Sequence, residues 1–302
     1  MIRNFKELER TVRGSKNILD VILVAAHDEE PLKGLFKAVK RGICKGVLVG
    51  NKRKIVSLLK KEDIPPLMFR IINSDSDEDT IAKSTDQVKE KSDSLLMKGL
   101  IPTPLFMKGV LSKDTGLRKS SLITHCFVFE NPLAKKFTII TDGGVVPFPD
   151  VEQKIAIIEN GSELMHSFGS RRVKVALLSA SEKVSKKIPS TLDAESLKRH
   201  FKARKDIRVD GPFGIDIAIS KRSAEHKGVD TFLAGSADIL LAPNVEAGNM
   251  TAKAILYFAK VRAGGVILGA RIPIILLSRA DDAEAKFNSI LLGVHLASRR
   301  SI

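Results

Sequence analysis

The sequence predicts an α/β protein whose strands form mostly parallel sheet. Three observations predict it. Short β-branched runs alternate with longer stretches of helical period along the chain. Those runs, among them VILVAA, KGVLVG and VKVALLS, are apolar throughout instead of alternating, which marks strands covered by helices on both faces. The residues just past the runs are polar or glycine-bearing, as at strand ends that open toward a ligand.

Taken in order, the opening MIRNFKELERTVRG reads as an amphipathic helix. Strands are expected over 21–26, 45–50 and 70–73, with helices over 31–41, 52–61 and 78–91. The acidic, serine-rich stretch Ser74–Asp79 reads as a loop and helix cap. Further strands are expected over 94–97, 122–130, 137–142, 173–179, 207–210, 239–243, 265–269 and 272–277, with helices filling most gaps. The lysine-rich segment 182–206, which contains Pro189, reads as an exposed loop and helix. ENPLAKK at 130–136 interrupts two strand runs and reads as a boundary. The last helix, 281–300, is amphipathic, with Ala285, Ile290, Leu291, Val294 and Ala297 apolar, and must pack elsewhere on the chain.

Length and composition narrow the class. A chain of 302 residues is long enough for about two domains. No uncharged apolar run reaches the ~18–20 residues of a membrane span, and the most apolar stretch, Gly264–Ser278, is split by Arg271. The N-terminus lacks the apolar core of a signal peptide. Cys44 and Cys126 both sit in apolar runs and read as buried free thiols, which fits a reducing cytoplasm. The formal net charge is +15, but the cations are spread along the chain among acidic residues, and there is one tyrosine and no tryptophan. That argues against nucleic acid, and a small polyanionic ligand or simple solubility explains the excess as well. The six histidines show no metal spacing, and His27 in AAHDEE has no adjacent nucleophile. Neither a metal site nor a membrane role is expected.

The strand ends TDGG (141–144), SASEK (179–183), DGPFGID (210–216), PNVEAGN (243–249) and LSRADD (277–282) point to a shared cleft. In PNVEAGNMTAK, Gly248 allows close backbone approach, Asn249 offers an amide, and Lys253 lies four residues on, on the same helix face. A helix N-terminus there adds free N–H groups suited to phosphate. In IILLSRADDAEAK, the guanidinium of Arg279 matches paired phosphate oxygens and Ser278 adds a hydroxyl. Asp281, Asp282 and Glu284 complement the helix dipole, and one of them facing the cleft is a candidate general base. TDGG and DGP read equally well as tight turns or as ligand loops.

These motifs together resemble the phosphate acetyl/butyryl transferase family, most closely its butyryl branch. The matches run in order: MKGLIPTPLFMKGVL (97–111), TGLR (115–118), TDGG…PDVEQKIAIIEN (141–160), VALLSASEK (175–183), PSTLDA (189–194), DGPFGIDIAIS (210–220), HKG (226–228), ADILLAPNVEAGN (237–249) and SRADDAEAKFNSI (278–290). The resemblance implies reversible conversion of a short-chain acyl-CoA, butyryl-CoA above all, plus phosphate to acyl phosphate plus coenzyme A. Phosphate acetyltransferase is the alternative. It also implies two α/β domains flanking a cleft, an architecture shared with decarboxylating dehydrogenases. The expected first domain is 1–132 completed by 279–302, and the second is 133–278. Homo-oligomers built on a dimer are implied, with coenzyme A as substrate or product and no tightly bound cofactor.

By the same resemblance, Ser278 and Arg279 hold phosphate and stabilise charge at the reacting carbonyl. Glu284 is the nearest match to an acid that takes the thiol proton. Asn249 and Lys253 flank the site beside Gly248. Thr141, Asp142 and Gly143 face the cleft, and Lys98, Gly99 and Thr103 form a first-domain substrate loop. Two positions depart from the family pattern. Val146 stands where asparagine is usual and Ala252 where tyrosine is usual, so a degenerate acyl-CoA binder without turnover is a rival reading. A related dehydrogenase is another, with no dinucleotide fingerprint to support it.

Overall fold

The computed structural model describes residues 1–15, 18–91, 93–120, 122–276, 278 and 281–300. Its elements begin with α1 Phe5–Arg13, β1 Asp20–Val24, α2 Glu29–Lys40, β2 Lys45–Gly50, α3 Lys52–Lys61, β3 Phe69–Asn73, α4 Asp77–Glu90, β4 Ser94–Lys98 and α5 Thr103–Val110. They continue with β5 Thr124–Asn131, β6 Lys136–Thr141, α6 Val151–Ser167, β7 Val173–Leu178, α7 Pro189–Phe201, β8 Ile207–Phe213, α8 Ile215–Ile219 and α9 Lys221–His226. The last are β9 Ile239–Leu241, α10 Val245–Phe258, β10 Ala263–Leu268, β11 Ile274–Ile275 and α11 Ala283–Arg300. Each strand expected from apolar runs has a counterpart. Leu277, at the end of the last expected strand, lies outside the described residues.

The chain forms two compact units. The first comprises Phe5–Ser121 with Gly264–Ile302, and the second Met1–Asn4 with Leu122–Ala263. These divisions differ from the expected ones near 132 and 278, and local structure explains both. ENPLAKK is a hairpin turn and not a linker. The Asn131 side-chain oxygen accepts from the backbone N–H groups of Leu133 (2.9 Å) and Ala134 (3.2 Å). β5 and β6 then pair antiparallel from Asn131↔Lys136 to Phe127↔Ile140. At the other division, β11 pairs parallel with β4, Ile274 opposite Leu96, so this stretch belongs to the first unit's sheet.

In the first unit the strand order is β3-β2-β1-β4-β11-β10, parallel except for the β10–β11 pair. α1 buries Phe5, Leu8 and Val12, the apolar face expected of it. α11 departs from the expected amphipathic pattern: every residue from Lys286 to Ala297 is buried. Its polar residues are therefore satisfied internally. The Ser289 hydroxyl donates to the Ala285 carbonyl (2.8 Å) and accepts from the Gly265 N–H (2.9 Å). α2 and α11 approach closely at Gly34, where an added Cβ would lie 2.6 Å from the Lys286 Cβ. Fully burying Phe287, Ile290 and Leu291 contributes roughly 1.5–3 kcal/mol each.

In the second unit the order is β5-β6-β9-β7-β8, parallel except for the hairpin. α6 starts with a capping box, Asp150 with Gln153. Phe129, Ile140, Phe213 and Leu240 share one apolar core. DGP at 210–212, read alternatively as a tight turn, lies inside β8. Both cysteines are buried and free. Among the described residues no helix is long and apolar enough to cross a membrane.

Candidate active site

Thr141, Asp142 and Gly143 lie at a strand end of the second unit, and Lys98 and Gly99 at one of the first. In the second unit, β6 ends at Thr141, which a cis peptide bond joins to Asp142, and both side chains are buried. The Thr141 hydroxyl donates to the His125 carbonyl at 3.0 Å. The Asp142 carboxylate accepts three backbone N–H bonds, from His125 (2.7 Å), Gly144 (2.7 Å) and Val145 (2.8 Å). Sequence reasoning placed these two side chains facing substrate. Their polar atoms are instead used to fix the TDGG turn, so what the turn can offer a ligand is backbone.

α10 begins after β9 with Asn244 as cap, its side chain accepting from the Ala247 N–H at 2.9 Å. The helix start is pressed onto the TDGG turn. A Cβ on Gly248 would lie 2.4 Å from the Asp142 carbonyl oxygen, and one on Gly143 would lie 3.1 Å from the Gly248 carbonyl carbon. Only glycine allows this approach. The Asn249 amide ties the two segments by donating to the Gly143 carbonyl at 3.0 Å. Lys253 follows one turn later, exposed, with no ion-pair partner among the described residues. Thr141, Asp142, Gly143, Gly248 and Asn249 thus form one array, with Lys253 beside it.

The two departures from the family pattern look different in place. Ala252 packs in the core with Phe129 and Ile140, and Val146 is buried. Neither apolar side chain offers a ligand the polar group that asparagine or tyrosine would. Asp210 is likewise occupied: it pairs with Lys198 (2.8 Å) and accepts from the Thr231 hydroxyl (2.7 Å).

In the first unit, the ends of the neighbouring strands β1 and β4 cross closely. Gly99 N–H donates to the Val24 carbonyl (2.8 Å), and a Cβ on Gly99 would lie 2.4 Å from the Ala25 carbonyl oxygen. Lys98 is buried beside it, its ammonium donating to the Gly99 carbonyl at 3.2 Å. Thr103 sits exposed in the first turn of α5.

Beyond β11, Ser278 is exposed on a backbone held at both polar groups. Its N–H donates to Asp281 Oδ2 (2.9 Å), and its carbonyl accepts from Lys286 Nζ (2.7 Å). Arg279 lies outside the described residues. Asp282 caps α11, accepting from the Ala285 N–H at 2.8 Å. Glu284, the candidate base, is ion-paired with Lys37 of α2. That places its carboxylate in the α2–α11 contact, where Lys37 also lies 4.6 Å over the Phe287 ring.

Sequence reasoning missed Lys286. It is 3% exposed, and burial pushes its ammonium below the usual lysine range, opposed by the carboxylates of Asp281, Asp28, Glu30 and Asp282. The signal was available: Lys286 stands four residues before Ile290 and eight before Val294, a cation in an apolar stripe. His27, past the end of β1, has its pKa lowered by burial and then by Lys54. Among the described residues no group of three His, Cys, Asp or Glu side chains could hold a metal ion.

Comparison with known proteins agrees in length and fold. The family model described as phosphate acetyl/butaryl transferase matches residues 79–294. A phosphate butyryltransferase of Clostridium acetobutylicum is 36% identical over 99% of this chain and 100% of its own. A phosphate acetyltransferase of Rickettsia typhi is 37% identical over 88% of this chain and 77% of its own. The crystal structure of a branched-chain phosphotransacylase from Enterococcus faecalis superposes with a TM-score of 0.84 at 25% identity, covering 93% of this chain and 99% of that one.

Proposed function

The chain belongs to the phosphate acetyl/butyryl transferase family, and on that premise we propose that it is a phosphate acyltransferase acting on butyryl-CoA or a similar short-chain thioester. The observation that carries the reading is the full-length similarity to a phosphate butyryltransferase. Several of the matched motifs include polar strand ends, among them TDGG after β6 and Lys98–Gly99 at the end of β4. A phosphate oxygen attacks the thioester carbonyl, forming a C–O bond. The tetrahedral oxyanion then collapses, breaking the C–S bond and releasing coenzyme A as thiolate, which takes up a proton.

Such a reaction needs a bound dianion and donors aimed at the oxyanion, with no covalent enzyme intermediate. Ser278 and Arg279 are our proposed phosphate and oxyanion ligands, with Lys253 adding positive charge. Gly143, Gly248 and Asn249 present backbone to substrate, with the Asn249 amide tying the two segments together. Thr141 and Asp142 hold that turn in shape. Lys98, Gly99 and Thr103 line the acyl-CoA approach. Glu284 is already engaged by Lys37, so the thiolate's proton has no assigned donor.

We also infer a homodimer or higher homo-oligomer working in a reducing cytoplasm, with coenzyme A as substrate rather than resident cofactor. α10 supports the first point, since it exposes Met250, Tyr257 and Phe258, the last 89% exposed. The buried free thiols support the second. Sedimentation velocity reads the oligomer directly. The functional test is acyl phosphate formation from acetyl-, propionyl- and butyryl-CoA, trapped as hydroxamate. The expected order is butyryl fastest. Acetyl fastest would move the chain to the acetyltransferase reading, and no hydroxamate from folded protein would overturn both.

A further inference from the structure

Lys286 is a buried ammonium with no carboxylate at ion-pair distance among the described residues. Its stem runs beside Gly34 of α2, and its Nζ donates to the Ser278 carbonyl at 2.7 Å. The same carbonyl also accepts from the Asp281 N–H at 3.2 Å. The Ser278 N–H donates to the Asp281 carboxylate at 2.9 Å. Both backbone polar groups of Ser278 are therefore held, one by a buried cation and one by a carboxylate, while its side chain stays exposed.

Burying an ammonium costs several kcal/mol, and methionine would fill the same slot without that cost. An ion pair does not explain Lys286, and its visible use is the Ser278 carbonyl. Asp28 and Glu30 face it from α2 and the segment leading into it, and Asp281 and Asp282 from its own side. Its polar contact is with the Ser278 backbone, so its effect on a ligand runs through that geometry.

We propose that Lys286 and Asp281 form a clamp that presets the Ser278 backbone, so that the serine hydroxyl meets the phosphate without reorganisation. Lys286 is then a positioning residue for phosphate use, acting through Ser278, and this rests on the phosphate acyltransferase reading above. Displacement of a reacting or binding group by about 1 Å is enough to cost on the order of 100-fold in rate.

The test is steady-state kinetics with phosphate and butyryl-CoA varied separately, in Lys286→Met, Asp281→Ala and Ser278→Ala, and in the Lys286→Met/Ser278→Ala double variant. Lys286→Met is expected to lower kcat/KM for phosphate on the order of 10- to 100-fold, with the KM for butyryl-CoA within about twofold. Asp281→Ala changes a part-exposed side chain in a loop, so the fold tolerates it, and it is expected to act in the same direction more weakly. The double variant should be no worse than Ser278→Ala alone, because the clamp works only through that residue.

Wild-type phosphate kinetics in both clamp variants, or a penalty that multiplies with Ser278→Ala, overturns the clamp. If Lys286→Met does not fold, Asp281→Ala carries the decision alone. An active wild type with unaffected variants removes the clamp and leaves the acyltransferase reading standing. A folded wild type that transfers no acyl group removes that reading and the clamp with it.

Discussion

The two arrays of strand ends solve different problems. In the second unit the TDGG turn and the start of α10 are locked together by glycine contacts, and the polar side chains are consumed in fixing backbone. In the first unit, Ser278 is exposed and its backbone is held by the side chains of Lys286 and Asp281. One array offers shape and main-chain polarity, and the other offers a hydroxyl on a braced backbone. The difference teaches that matched motif residues need not play matched parts. Asp142 is as much a motif residue as Ser278, yet its carboxylate is internal structure.

This contrast makes substitutions in the two arrays fail differently. The largest expected effect is Arg279→Ala, which should cost on the order of 10²–10³-fold in turnover with little change in Tm. Near-wild-type rates would remove the serine–arginine assignment. Next is Gly248→Ala, whose Cβ would meet the Asp142 carbonyl oxygen at 2.4 Å. Overpacking against backbone should cost about 1–3 kcal/mol of stability, with activity falling as the turn shifts. Gly144→Ala is the matched control, because the nearest atoms to its Cβ would belong to the His125 side chain, at 3.3 Å, and not to backbone. Equal denaturation midpoints for the two variants would break the shape argument.

Glu284→Gln tests whether a carboxylate in the helix contact takes part in chemistry. Its half-exposed pair with Lys37 is worth about 0.2–1 kcal/mol. The expected outcome is a slightly lower Tm and an unchanged pH–rate profile. A shifted profile would return Glu284 to the role of base.

The smallest effect is expected from thiol reagents. Burial pushes the Cys126 thiol up to about 12, and Cys44 higher still. A raised thiol pKa means almost no thiolate at pH 8, so the native chain should neither react with Ellman's reagent nor lose activity. Rapid reaction without denaturant would contradict that packing. The same inertness lets the reagent count coenzyme A thiol without interference.

The sequence made the strands legible because buried parallel strands carry unbroken apolar runs, and made the cap within Ser74–Asp79 legible because the Ser76 side chain has a local job, accepting from the Asp79 N–H. The hairpin at 130–136 was misread because a turn and a linker share the same residue types. What separates them is the pairing of β5 with β6. The surroundings of Asp142 were hidden for a similar reason, since a carboxylate bound to backbone N–H groups looks in sequence like one facing a ligand. α11 was read from its apolar stripe alone. Its burial on every face depends on α1, α2 and the sheet closing round it, which no local period encodes. Lys286 broke that stripe, and tertiary packing gives the break its meaning.

The most direct measurement is the release of coenzyme A thiol from butyryl-CoA by the wild-type chain, with and without inorganic phosphate. The account predicts fast release that requires phosphate and matches acyl phosphate formed mole for mole. Release at the same rate without phosphate, or none from folded protein, would contradict it.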